Sequence, residues 1–580
     1  MSLVIREGRT MARKKSYANT KNGLTRAPKN QPDRTEATPP AATVAGTPAP
    51  VVEEPKPPAS TKPSTITPMT PLPVGSEFFQ PTFPGPVPSA ALFLIFSAFI
   101  FLLYSPSLNG DFVFDDWLNI SYPEGMHLKE LSLAGLRDVF TQSRLPARGG
   151  ANLTFALNYY FHGLEPLGYH LVNVFIHCLT AFLLFILVRR TLVLSGYPGS
   201  ARRIFRLSFI TAVIWAVHPL QTQSVSYIVQ RMNSLAAMFY LIAIITYLKG
   251  RSDSRRKYFY FIISALSFIC AVLSKENAAT LPLIILLYEW FFLQGLSRRF
   301  LKSKAVAWSA AAALMVSLLI VFESSIIDGI VSGYRLRPFT MGQRILTEFN
   351  VIFFYLGQFI LPHPSRLSLE HSFPLSYSLF KPLTTLFSAL GLAGIFALVV
   401  YRARPERVLS FCGLWFLINM VIESSFIGLI LVFEHRMYLP SMFLVLLVVL
   451  LADRLITKKL PMAIAASVIV AVLSFWTYQR NMVWGDSLLV YRDTVQKAPD
   501  TYLARYHLAK TLQDRDLLDE AITQYFATLR LNPGEYFAHN NLGVIYQKKG
   551  EFDKAIYHYK TALAISPTCQ QAQENLRNLQ

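Results

Sequence analysis

From about residue 88 onward, apolar stretches of roughly 17 to 25 residues alternate with short polar loops, the length a helix needs to cross about 30 Å of hydrocarbon. The pattern predicts crossings near 88–105, 168–188, 206–222, 225–248, 258–273, 278–296, 305–322, 380–401, 408–430, 437–453 and 460–478. Basic runs recur at every second turn of the chain: Arg189 to Arg206, Lys249 to Lys257, Arg298 to Lys304, Arg402 to Arg407 and Arg454 to Lys459. By the positive-inside rule these loops are cytoplasmic, so eleven crossings put the N-terminus inside and the C-terminus outside. The apolar stretch 345–361 would add a twelfth crossing and place Arg402, Arg404 and Arg407 on the wrong side. It is therefore expected as a re-entrant or interfacial helix within a long outer loop from Glu323 to Tyr377.

Beyond Tyr478 the hydropathy falls and a repeat begins. Pro499, Pro533 and Pro567 are 34 residues apart, as are Tyr491, Tyr525 and Tyr559. Leu542, Gly543, Tyr546, Ala555, Tyr559, Ala562 and Pro567 hold the positions at which a tetratricopeptide repeat needs small residues between two helices and a Pro after the second. About two and a half repeats are visible, fewer than the roughly three that bury a solenoid core alone, so the array is expected to lean on the membrane domain. Residues 1–87 are rich in Pro, Thr and Ala and carry almost no aromatic residue before Phe78; they are expected to form a disordered, basic, cytoplasmic tail rather than a cleaved signal peptide. The fold class is thus all-α: a polytopic helical bundle over 88–479, with an outer loop at 106–167, followed by an α-solenoid over 480–580.

Composition agrees with the pattern. Hydrophobic residues make up 52% of the 580 and charged residues 16%, too apolar and too charge-poor for an ordinary soluble chain. The balance of 55 Lys and Arg against 35 Asp and Glu is accounted for by topology and the tail, so a lipid bilayer and not nucleic acid is the expected partner. Four cysteines offer neither a disulfide framework nor metal-ligand spacing.

The ionisable residues at predicted outer ends are the chemical candidates. The first outer loop begins Asp111-Phe-Val-Phe-Asp115-Asp116-Trp117; adjacent side chains point apart, so only one of Asp115 and Asp116 can face a substrate squarely, as a general base, while the other orients it or holds a cation. His218-Pro219-Leu-Gln-Thr222-Gln223, Arg231-Met-Asn233, Lys275-Glu276-Asn277 and Glu434-His435-Arg436 stand at other outer ends. Charges at membrane depth persist only with partners, and cations gathered on one face suit an anion such as a lipid-linked phosphate. A phosphate leaving group departs without a protonated acid, so one carboxylate base plus cationic stabilisation suffices to move its sugar to a hydroxyl.

Phe112-Val-Phe-Asp115-Asp116, Tyr169-His170-Leu-Val-Asn173-Val-Phe-Ile-His177, His218-Pro219, Arg231-Met-Asn233-Ser-Leu-Ala-Ala, Lys275-Glu276 and Tyr438-Leu-Pro440-Ser441 occur in that order. Together with the repeats they resemble the transmembrane-and-tetratricopeptide-repeat O-mannosyltransferases, most closely their bacterial relatives, over about residues 105 to 580. The resemblance implies a GT-C fold and an inverting glycosyltransferase that takes a sugar from a polyprenyl phosphate at the periplasmic face of a bacterial inner membrane. It implies Asp115 or Asp116 as catalytic base, with Asp115 preferred. Arg231, Lys275 and either His435 or Arg436 would bind the donor phosphate, supported by His218, Asn233, Glu276, Glu434, His170 and His177. The acceptor would be a Ser or Thr of an exported protein held by the repeats. Two departures from the eukaryotic pattern are Gln223, where a Glu is common, and His435 between Glu434 and Arg436, which leaves open which cation meets phosphate. A divalent cation held by Asp115, Asp116 and His218 is a further option, with no close-spaced ligand set to demand it. Rival readings are a non-enzymatic scaffold for envelope or secretion assembly, which would tolerate loss of both carboxylates, and a polysaccharide polymerase or ligase. Asn119-Ile-Ser121 and Asn152-Leu-Thr154 match the N-glycosylation pattern, without consequence in a bacterial setting.

Overall fold

In the computed structural model, residues 89–302, 304, 333–334 and 337–579 are described; the expected tail at 1–87 and the crossing near 305–322 lie outside them. Those residues are helical apart from loops and a single isolated bridge between Ser378 and Lys381. Among the described residues, five helices are long and apolar enough to cross a membrane: Pro166–Leu194, Ile228–Ser252, Glu276–Leu293, Thr384–Tyr401 and Lys459–Trp484. A sixth span exists if Ala201–Ala216 and Pro219–Val225, bent by 54°, count as one. Thr384–Tyr401 buries only 6% of its most apolar window inside the protein and exposes Phe387, Leu390 and Phe396, a surface that only lipid can cover. The chain is a multi-pass membrane protein.

Among the described residues, several of the expected crossings are not single long apolar helices, for local reasons. His218 is extended, as a residue before Pro must be, and Pro219 brings no N–H to continue the helix; the break is closed by the His218 ring, whose Nδ1 accepts from the Leu220 N–H at 3.3 Å. The expected 408–430 span ends as a helix at Met420. The next dozen residues are non-helical, and two arginines supply donors to their carbonyls. Arg344 donates to the oxygens of Glu423, Ser425 and Leu429 at 2.8, 3.0 and 2.6 Å. Arg436 donates to those of Leu431 and Ile430 at 2.7 and 2.6 Å. Irregular backbone at this depth is tolerable only when protein satisfies it in this way. Phe93–Ser107, Lys257–Val272 and Arg407–Met420 are apolar but shorter helices. The 345–361 stretch forms the helix Met341–Ile360, started by a capping box between Thr340 and Gln343. It buries Arg344, Thr347, Glu348, Val351 and Tyr355 on one face and is not among the helices apolar enough to span.

At the C-terminal end, helix pairs Tyr502–Asp514 with Leu518–Leu531 and Tyr536–Lys548 with Phe552–Ile565 stack in the predicted 34-residue rhythm. A Cβ on Gly543 would lie 2.5 Å from a Tyr559 ring carbon, so only glycine lets these two helices approach. One hydrogen bond recurs at the repeat spacing: Tyr525 donates to Gln513 Oε1 and Tyr559 to Gln547 Oε1, both at 2.7 Å. Phe112, Val113 and Phe114 of the first outer loop share a buried apolar cluster with Leu508, Ala509, Tyr525 and Leu542 of the repeats. That shared cluster supplies the burial which two and a half repeats cannot provide alone.

Candidate active site

Asp115 and Asp116 have opposite surroundings. Asp116 is fully buried, its Oδ1 accepting from the Val229 N–H at 2.6 Å and its Oδ2 from the Val113 N–H at 2.9 Å. Both oxygens are spent on backbone, so this carboxylate tethers the loop to the turn ahead of the Arg231–Ser252 helix. The Asp115 backbone N–H donates to the Tyr227 hydroxyl at 2.9 Å. Burial raises the Asp115 carboxyl above its usual range, while Arg144, Arg148, Arg337 and the Tyr227 hydroxyl pull it back. A partly desolvated carboxylate poised among arginines has the character of a general base.

Arg148, which acts electrostatically on Asp115, acts also on an ionic cluster built from three separate elements. Glu423 pairs with Lys275 at 3.0 Å and with Arg436 at 3.1 Å, and all three side chains are buried. Two cations on one carboxylate leave a surplus positive charge. Asn233 ties the cluster together: its amide donates to the His435 carbonyl at 2.7 Å, and its Oδ1 accepts from Lys275 at 3.3 Å and Asn277 at 3.1 Å. Arg148, also within electrostatic reach of Asp115, forms a two-point pair with Glu276 at 3.0 Å.

The other candidate side chains are held mainly by protein partners. Arg231 is fully buried, packed over the Phe155 ring at 4.6 Å, and donates to neutral acceptors on Asn173, Asn158, Thr154 and Tyr169. Its side-chain donors are met by protein acceptors, as those of Arg436 are by the Leu431 and Ile430 carbonyls and by Glu423. His435 is pushed well below its ordinary value, first by burial and then by Lys275, Arg436 and Arg148. Its backbone N–H donates to Gln223 Oε1 at 2.8 Å, the position at which an acid would have met the same cluster. Glu434 accepts from the Ser368 N–H at 2.6 Å and from His371 at 2.9 Å, fastening the 367–371 segment. His170 and His177 face the carbonyls of Gly110 and Ala216 at 3.0 Å and are packing residues. His218 faces the Phe359 carbonyl at 3.0 Å. With Asp116 spent on backbone, the proposed divalent-cation set does not assemble; among the described residues no group of three or more His, Cys, Asp or Glu could hold a metal ion.

Sequence reasoning passed over Glu423 and Glu370. Glu423 sits in an apolar run, Asn419-Met-Val-Ile-Glu423, where an acid is itself the signal. Glu370 has no such signature. It is buried, its Oε2 lacks a partner, and burial together with nearby Asp115 pushes its carboxyl up to about 7 against the pull of Arg337. The neutral form is the one the fold prefers, so the stability it contributes is complete below about pH 4.5 and is lost as pH rises through about 7. Glu370→Gln should therefore raise the melting temperature at pH 8 relative to wild type and change it little at pH 5. An equal offset at both values, measured by thermal unfolding in detergent, would contradict this.

The geometry defines a multi-pass membrane protein with a loop carboxylate beside a buried cation cluster, capped by helical repeats. Residues 536–569 match the tetratricopeptide repeat family model. The chain is 26% identical over 512 residues to the human protein O-mannosyl-transferase TMTC1, covering 76% of this chain and 55% of that protein. It is 25% identical over 452 residues to the protein O-mannosyl-transferase F38B6.6 of Caenorhabditis elegans, covering 75% and 61%. A shorter match of 197 residues to Drosophila melanogaster Tmtc1 reaches 35% identity, covering 32% and 21%. No solved structure matches. The chain is a distant relative of these protein O-mannosyl-transferases, and it spans about half the length of the curated relatives it matches.

Proposed function

We propose that this chain is a GT-C type glycosyltransferase that moves a sugar from a polyprenyl phosphate to a Ser or Thr hydroxyl of an exported protein. Asp115 takes the proton of the acceptor hydroxyl, whose oxygen attacks the anomeric carbon. The bond from that carbon to the phosphate oxygen breaks, and polyprenyl phosphate leaves with the electron pair, its charge met by Lys275 and Arg436. The reaction runs at the periplasmic face of a bacterial inner membrane, with residues 88–479 as the transferase domain and the repeats over 480–580 presenting the acceptor. The observation that carries the reading is Asp115, desolvated among Arg144, Arg148 and Arg337, with Arg148 also acting on the Lys275–Glu423–Arg436 cluster. The names of the relatives support the transfer of a sugar to protein.

The test is a comparison, by mass spectrometry, of the glycans on exported proteins from cells lacking the gene and from cells complemented with wild type or Asp115→Asn at equal protein levels. A hexose mass restored on Ser or Thr peptides by wild type alone supports the reading. Unchanged glycans in all strains would sink it and favour a scaffold.

A further inference from the structure

Phe114, immediately before Asp115, has φ of 49°, a left-handed backbone in which a bulky non-glycine residue is strained. Such a conformation persists only where its surroundings impose it, and here they come from the repeats. The Phe114 N–H donates to the Tyr491 hydroxyl at 2.7 Å, from the helix Ser487–Lys497. The Phe114 ring meets the His507 ring edge-on at 5.1 Å, from the next helix, Tyr502–Asp514. His507 in turn stacks on Tyr491 at 5.4 Å, so the two clamping side chains brace one another. The following N–H, that of Asp115, goes to Tyr227, which stacks on Trp484 at 5.8 Å. Two consecutive amides of the base-bearing turn are therefore held by phenol hydroxyls from opposite sides, Tyr227 on the membrane domain and Tyr491 on the repeat side.

We infer that Tyr491 and His507 are positioning residues that hold the strained Phe114 turn and thereby aim the Asp115 carboxylate, making the first two repeat-side helices part of the active site. This rests on the reading of Asp115 as base. It explains why the base-bearing loop shares its apolar cluster with the repeats, and it means that the repeats cannot be removed without disordering the turn. Neither Tyr491 nor His507 touches substrate in this arrangement. Their effect reaches the reaction through one backbone conformation.

Tyr491→Phe in the full-length, detergent-solubilised protein keeps the ring and its stack on His507 and deletes the hydroxyl. Hydrogen exchange with fragmentation to single residues should show the Phe114 and Asp115 amides exchanging at least tenfold faster, with amides of Tyr502–Asp514 and Pro166–Leu194 unchanged. In transfer assays with polyprenyl-phosphate mannose and an exported-protein fraction, kcat should fall at least tenfold, while KM for the lipid donor stays within twofold. His507→Leu, which leaves the hydrogen bond in place and removes the ring support, should give the same pattern more weakly and serves if Tyr491→Phe does not accumulate. Unchanged exchange at Phe114 and Asp115 overturns the inference, as does faster exchange spread equally through the repeats. If the wild type transfers no sugar, the proposed function fails while the exchange experiment still decides the clamp.

Discussion

Asp115→Asn should lower sugar transfer by about 10²- to 10⁴-fold, the range a positioned general base supplies, and leave the protein folded. Asp116→Asn should do the reverse in kind, lowering stability before it touches chemistry. The difference lies in which atoms each carboxylate engages. Asp115 hydrogen-bonds through its backbone N–H to Tyr227, which the substitution retains, and its carboxylate sits among Arg144, Arg148 and Arg337 without acting as a backbone tether. Asp116 accepts two backbone N–H groups, and an asparagine there turns an amide N–H₂ toward one of them. An orphaned buried N–H costs about 1–3 kcal/mol, and more where the lost acceptor was charged. Thermal unfolding and size-exclusion profiles of both variants, beside their transfer rates, separate the effects. Equal loss of activity at equal stability would refute the division of roles.

The second large effect is at Glu423. Replacing it by Ala leaves Lys275 and Arg436 buried beside each other without their shared counter-charge, and breaking a buried pair in this way costs about 3–5 kcal/mol. The protein should fail to accumulate in the membrane or should melt well below wild type. Lys275→Met is the informative contrast, because Glu423 keeps Arg436 and the fold survives with one fewer cation. Its transfer rate should fall with a raised KM for the polyprenyl-phosphate donor. A stable, fully active Glu423→Ala protein would show that the cluster neither supports the fold nor serves the donor.

The repeats are readable from sequence because period and packing coincide: Gly543 and Tyr559 stand at repeat signature positions, and the structure brings them together across the helix pair. The membrane bundle was less so. Hydropathy records composition, and nothing in the composition of 408–430 says that Arg344, some eighty residues upstream, will supply the donors that let the chain leave the helix at Met420. The same blindness affects single ions. Arg231 and Lys275 look alike in sequence, each a cation at the edge of an apolar run, and only tertiary contacts show one saturated by neutral acceptors and the other paired with Glu423. The opposed orientations of Asp115 and Asp116 follow from the geometry of neighbouring residues. Asp116 meets the Val113 N–H locally, while its second backbone partner, Val229, lies far along the chain and is not legible from the loop.

The most direct measurement of the central claim is a single-turnover assay. Purified protein in liposomes is mixed with polyprenyl-phosphate mannose labelled in the sugar and with a fraction of exported proteins, and label is followed from the lipid phase to Ser- or Thr-linked hexose. Transfer by wild type, with release of polyprenyl phosphate and at least a hundredfold slower transfer by Asp115→Asn, is the predicted result. Label that remains in the lipid phase with wild type, or that moves equally fast with Asp115→Asn, would contradict the account.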